Sequence, residues 1–208
     1  MITVVGNLKG GTGKSTVAFN LALWSATRRN VHVVVYDLDP QATTSDAFEI
    51  RAEEGYLPAI KPRHLLDGLD DIPDNTDAII DVGVSNQAMV EAALAVADRI
   101  IIPVTPSQAD VWATQRFLKT IEKVRQGKKV AIFGLLNRAD THTAVRESNE
   151  TLEALRLLSL TGVLNTRLYL RTTYRRSFSE GLAVFEMEPR SKAAAEVDAL
   201  GRELYNLS

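Results

Sequence analysis

Two lysines, a serine and four glycines, set within residues 6–16, carry the chemistry of this chain. The segment reads Gly-Asn-Leu-Lys-Gly-Gly-Thr-Gly-Lys-Ser-Thr and follows the apolar run Ile2-Thr3-Val4-Val5. Glycines let consecutive backbone N–H groups turn inward around an anion. Lys14 then supplies a cation for outer phosphates, and the Ser15 hydroxyl suits Mg²⁺. That is the chemistry of gripping a nucleotide's phosphates. Lys9 adds a second cation at the front of the loop.

Carboxylates follow at two strand ends. In Val33-Val34-Val35-Tyr36-Asp37-Leu38-Asp39-Pro40-Gln41, an apolar run delivers two of them and a proline stops it. Asp39 is expected to orient an attacking water. Asp37 is expected either in the magnesium shell or holding the loop, and either residue also suits a turn cap. In Ala78-Ile79-Ile80-Asp81-Val82-Gly83 a second apolar run ends in Asp81. This is the Walker-B arrangement, whose carboxylate holds magnesium, often through a water. Ser15, Asp37 and Asp81 are thus the candidate metal residues, and Gly83 is a candidate flexible joint.

The elements that must position these groups read as alternating strands and helices. Strands are expected over 2–5, 31–36, 78–82, 99–104, 129–136 and 162–164. Helices are expected near 14–27, 86–97, 110–125, 143–158 and 189–205. Several strands are apolar throughout, as in a parallel sheet covered on both faces. The rhythm predicts an α/β fold, a doubly wound, mostly parallel sheet flanked by helices, forming one domain over 1–208. Ligands of such sheets sit at the carboxyl ends of the strands, where the glycine-rich loop lies. Residues 48–76 are the least regular stretch, read as a surface excursion with a short helix near 63–69.

Composition narrows the classes. Of the 208 residues 45% are apolar, enough for a core, and the net charge is −2, so the chain has no overall cationic field. There is no cysteine, which excludes thiolate metal sites, iron–sulfur clusters and disulfides and fits a reducing cytoplasm. No basic-then-apolar leader opens the sequence and no apolar run approaches the ~18 residues of a membrane span.

Lys9-Gly10-Gly11-Thr12-Gly13-Lys14-Ser15 matches the deviant Walker A pattern, Lys-Gly-Gly-x-Gly-Lys-Ser/Thr. Asp37-Leu38-Asp39-Pro40-Gln41 and Pro103-Val104-Thr105-Pro106-Ser107 match two further segments of the same family. Over nearly its whole length the chain resembles the ParA/MinD family of P-loop ATPases, most of all the small, ParF-like ParA proteins of plasmid partition. The resemblance implies ATP/ADP and Mg²⁺ as ligands and an ATP-dependent homodimer. It implies that Lys9 crosses to the partner's nucleotide, with Lys14 and Asp39 completing the catalytic set. Gly10, Gly11, Thr12, Gly13, Lys14, Ser15 and Thr16 are implied to hold phosphates, Thr16 the α-phosphate. Thr105 and Pro106 are implied near the adenine, with Asn137 or Arg138 beside them, and Asp110 is implied to link that loop to the dimer interface. One departure is Val82-Gly83-Val84-Ser85, where many relatives carry two prolines.

Arg167, Arg171, Arg175 and Arg176 interleave with Tyr169 and Tyr174. A helix would place Arg171 and Arg175 on one side, and Glu180 and Glu186 are the available pairing partners if the face is merely solvated. The resemblance implies nonspecific DNA binding by these arginines, slow ATP hydrolysis stimulated by a small ParB-like adaptor, and a cytoplasmic, nucleoid-associated location. The cargo is a plasmid, a chromosome or another body such as a carboxysome. The alternative is a MinD-like regulator on a membrane surface; that requires a basic amphipathic C-terminal helix, whereas the last expected helix is not cationic, so no membrane partner is expected.

Overall fold

A computed structural model describes residues 1–64, 76–142 and 146–206. Six strands form one sheet: β1 (Ile2–Val5), β2 (His32–Asp37), β3 (Thr76–Asp81), β4 (Arg99–Val104), β5 (Ala131–Leu136) and β6 (Gly162–Val163). Their order is β2-β3-β1-β4-β5-β6, and every pairing is parallel. The expected doubly wound α/β fold is the one formed. After β1 the chain runs to the β2 edge, returns through β3, and then builds outward from β4 on the other side of β1. β1 is therefore the switch point, and the loop after it opens into the crevice where such sheets bind ligands.

Neighbouring strand residues pack to opposite faces. Val5, Val33, Val35, Ile79, Ile101 and Leu135 join one core with α1 (Lys14–Trp24) and the C-terminal helices. Val4, Tyr36, Ile80, Ile100 and Ile102 join the other core. That second core is covered by α3 (Gln87–Val96), α4 (Gln108–Arg125) and α5 (Glu147–Arg156). Covering both faces is what made the strands apolar throughout.

Among the described residues further helices are α2 (Thr43–Glu53), α6 (Thr172–Ser179), α7 (Val184–Met187) and α8 (Lys192–Leu204), and a π-helical turn, Ser25–Arg29, continues α1. α2, α6 and α7 fall outside the expected helices. α2 buries Thr44, Ala47, Phe48 and Arg51, a helical i, i+3, i+4, i+7 face. Two of those four positions are polar, so the hydrophobic period is invisible. α6 buries only Tyr174 and Ser177, with the same consequence. Arg63 is bridged to Tyr36 in extended backbone, not helix, and the rest of the helix expected near 63–69 lies outside the described residues. Expected residues 143–145 of the 143–158 helix also lie outside them. Among the described residues no helix is long and apolar enough to cross a membrane.

Candidate nucleotide site

The loop after β1 is tied down from three sides. Asn7 Nδ2 donates to Pro103 O at 2.9 Å, and Asn7 Oδ1 accepts from Lys9 N at 3.2 Å. From the end of β5, Asn137 Nδ2 donates to Thr12 O at 2.7 Å. Gly13 has φ 84, and a Cβ there would lie 2.4 Å from Asn137 Nδ2. Glycine is thus required at 13 for both its backbone conformation and its space. Asn137 is 7% exposed and its amide nitrogen is committed to the loop, so it buttresses the loop from behind.

Inside the loop, Lys14 is buried and its Nζ donates to Lys9 O at 3.3 Å. Burial holds the Lys14 ammonium below the usual lysine range, against the pull of Asp81 and Asp39. Two buried oxygens of this site, Thr12 Oγ1 and Asp81 Oδ1, have no hydrogen-bond partner among the described residues. The other Asp81 oxygen, Oδ2, accepts from Thr44 Oγ1 at 2.7 Å. Burial pushes the Asp81 carboxyl up to about 6, despite the opposing pull of Ser15, Thr44 and Lys14. A fully buried carboxylate with one bare oxygen beside a hydroxyl is a donor set that fits Mg²⁺.

Asp37 serves a different purpose. Its Oδ1 accepts from Asp39 N at 3.2 Å, and its Oδ2 accepts from Ser45 N and Ser45 Oγ at 2.8 and 2.9 Å. It holds the β2–α2 loop, the second of its two expected roles, and its oxygens are already occupied by that work. Asp39 also shapes a turn, its Oδ1 accepting from Gln41 N at 3.0 Å. Its carboxylate rests on Gly83, where an added Cβ would lie 2.5 Å from Asp39 Cγ. Gly83 therefore acts here by being small.

Lys9 does not enter the loop. Its Nζ pairs with Asp110, whose side chain is fully buried at the start of α4. Burial raises the Asp110 carboxyl, but hydrogen bonds from Lys9, Ser107 and Thr105 outweigh it and hold it below the usual carboxylate range. Ser107 caps α4 through Asp110 N at 3.1 Å. Thr105 and Pro106 line a cavity of about 450 Å³ with Lys9, Gly10, Gly11 and Arg138.

A larger cavity, about 670 Å³, runs from Gly13 and Thr16 past Arg138 to Tyr169, Leu170 and Tyr174. This volume is in the range of small-ligand sites. It begins at Gly13 and Thr16 and is separate from the cavity lined by Thr105 and Pro106. Sequence reasoning singled out Tyr169 and Tyr174 only as neighbours of the arginines and passed over Leu170; their place beside Gly13 and Thr16 depends on contacts more than 150 residues apart. The loop is organised by one side chain, Glu196 of α8. Glu196 accepts from Tyr169 N at 3.1 Å, Arg171 Nε at 2.7 Å and Tyr174 OH at 3.0 Å. Burial, with Glu196 beside it, raises the Tyr174 hydroxyl pKa, so it stays protonated and donating. Glu196→Gln is expected to raise the nucleotide dissociation constant roughly three- to tenfold; KM should rise with kcat little changed. Unchanged affinity in a nucleotide titration would separate this loop from the ligand.

The four arginines are mostly engaged. Arg171 pairs with Glu196 at 2.6 Å and precedes α6 as its N-cap, so it does not share a helix face with Arg175. Arg176 faces Glu188 and Glu180 at 3.4 and 3.9 Å. Arg167 NH1 donates to Asn149 Oδ1 at 2.9 Å. Arg175 is exposed and makes no ion pair among the described residues. Arg171 and Arg175 both line the larger cavity. Neither Arg171 nor Arg175 pairs with Glu180 or Glu186: Glu180 lies 3.9 Å from Arg176, and Glu186 grips buried Arg51 of α2 through two 2.8 Å contacts.

The chain is 30% identical over 205 residues to maintenance of carboxysome distribution protein A of Halothiobacillus neapolitanus, covering 92% of this chain and 90% of that one. A putative plasmid partition protein of Borrelia burgdorferi bound to AMPPNP superposes with a TM-score of 0.75 at 17% identity, covering 99% of this chain and 98% of that one. Apo McdA from Cyanothece gives 0.75 at 16% identity, covering 98% of each chain. At those identities the two structures speak to the fold. The family comparison reaches further: residues 3–184 match the CobQ/CobB/MinD/ParA nucleotide binding domain, and the chain belongs to that family.

Proposed function

We propose that this protein is an ATPase that dimerises on ATP and positions an intracellular cargo. The observation that carries the reading is the placement of its two loop lysines. Lys14 lies buried in the loop, while Lys9 pairs with buried Asp110 at the start of α4. A cation held outside its own loop can, once released from Asp110, reach a nucleotide facing it from a second copy. There it would stabilise charge on the transferring phosphoryl group, as an arginine finger does.

In this reading Lys14 and the backbone N–H groups of residues 10–16 bind the phosphates, and the adenosine takes the cavity beside Thr16. Ser15 and Asp81 would hold Mg²⁺, which when bound supplies neutralising charge to the phosphates. Asp39, seated on Gly83, orients the attacking water. Gly83→Ala is expected to displace that carboxylate and lower kcat about tenfold or more, with ATP binding retained. Turnover equal to wild type would remove Asp39 from the water site.

The likeness to a carboxysome distribution protein supports a protein body as cargo, and the likeness to a partition protein supports DNA. Both uses require a track. α8 packs Ala193, Ala194, Val197, Leu200 and Leu204 into the core, so its apolar face does not serve a membrane. The proposed track is nonspecific DNA, met by Arg175 and Arg176 of each subunit and completed by dimerisation. Filter retention of duplex DNA should require ATP, fall steeply with salt, and drop about fivefold or more in the Arg175→Ala, Arg176→Ala double variant. Retention independent of ATP, or equal in the variant, would contradict the DNA track.

A further inference from the structure

At the opposite end of the sheet from the nucleotide loop, a groove of about 520 Å³ runs between α4 and α5 above the start of β5. Its apolar lining includes Leu118, Ile121, Val130 and Leu158. Leu157 at its rim is 86% exposed, beside half-buried Leu158. The rim is also basic. Lys119, Lys128 and Lys129 line it, none paired with a carboxylate among the described residues, and Glu122 is the one carboxylate in the lining. The whole chain carries a net charge of −2, so this is a local concentration of positive charge.

The basic turn is held rigid. Arg125 spends its guanidinium on five carbonyls: Leu94, Ala95 and Ala97 of the α3 end, and Lys128 and Lys129 of the turn itself. Gln126 and Gly127 complete the turn with φ 48 and 83. Lys128 and Lys129 are thus presented from a fixed backbone, which lowers the entropic cost of binding.

We propose that this groove docks an acidic segment of a partner protein that bears a large apolar side chain. The lysine rim selects the acid by charge complementarity, and the floor with Leu157 takes the apolar group. Nucleic acid would use the charge but leave the apolar floor and Leu157 uncovered. The site is remote from the phosphate loop, and the proposal stands independently of the ATPase reading.

The test is selection of a phage-displayed random peptide library on the intact protein with ADP present, followed by anisotropy titration of the enriched peptides. The expected peptides are acidic and carry leucine or an aromatic residue. Their affinity should fall about tenfold or more in Lys128→Glu with Lys129→Glu, and about threefold in Leu157→Ser. Fluorescent-nucleotide affinity should stay unchanged in all variants. Lys119→Glu on α4 supplies an independent charge reversal should the double variant melt early. No enrichment, enrichment of basic or uncharged peptides, or equal binding to the variants would overturn the proposal. So would lysine-dependent pelleting with phosphatidylglycerol vesicles, or lysine-dependent self-association in light scattering, since either names a different occupant.

Discussion

Lys9→Ala is expected to bind ATP within roughly threefold of wild type and yet remain monomeric when a nonhydrolysable analogue is added. Binding survives because Lys14, Ser15 and the loop backbone are untouched. Dimerisation fails because the cation that bridges to the facing nucleotide is gone. Light scattering should show wild type doubling in mass with the analogue and the variant unchanged. The structure adds a second, opposite expectation. Lys9 is held by buried Asp110, and under the proposed dimerisation that pair has to break first. Lys9 is itself 40% exposed, which screens the pair and keeps its worth modest. Asp110→Asn keeps the acceptor for Ser107 but removes the charge. It should free Lys9 and lower the protein concentration needed for the dimer by roughly three- to tenfold. A normal ATP dimer in Lys9→Ala would refute the role in trans. An Asp110→Asn variant that dimerises as poorly as Lys9→Ala would make Asp110 part of the interface and not a competitor for Lys9.

The second large effect concerns Asp81. Burial raises its carboxyl from 3.8 to about 6, so the folded chain binds this proton more tightly than the unfolded chain does. Stability falls as pH rises from about 4 to about 6, and above 6 the charged, buried group costs up to about 3 kcal/mol. Asp81→Asn removes that cost. In nucleotide-free protein without divalent ions, the variant should melt roughly 5–10 °C higher than wild type at pH 7.5, with the gain shrinking toward pH 4.5. Adding Mg²⁺ and ATP should reverse the order. Wild type then gains stability by ligand linkage while the variant gains little, and turnover in the variant should fall by about a hundredfold or more. A melting difference that ignores pH would mean Asp81 is ionised in the fold at no cost. Magnesium dependence retained in the variant would move the cation elsewhere.

These two residues show how far the sequence reaches. The phosphate loop, Asp81 and the parallel sheet were legible because each is a local pattern: glycines at fixed spacing, or an apolar run ended by a carboxylate. α2 was not legible, because Arg51, a charged residue, occupies one of its buried positions and is satisfied by Glu186, 135 residues away. Asp37 was ambiguous because a carboxylate at a strand end serves a metal or a helix start equally well. Only the position of Ser45 N chose the helix start.

The residues alone determined that a glycine-rich loop of the phosphate-gripping pattern follows the first strand, and that a second lysine stands at its front. Those features depend on neighbours within a few positions, where chain connectivity dictates geometry. Tertiary structure decided what each group faces: Lys9 on Asp110, Asn137 behind Thr12, and the tyrosine loop on Glu196. Those pairs lie 101, 125 and 27 residues apart. Contacts at such separations follow from how helices pack on the sheet, and no local spacing encodes them.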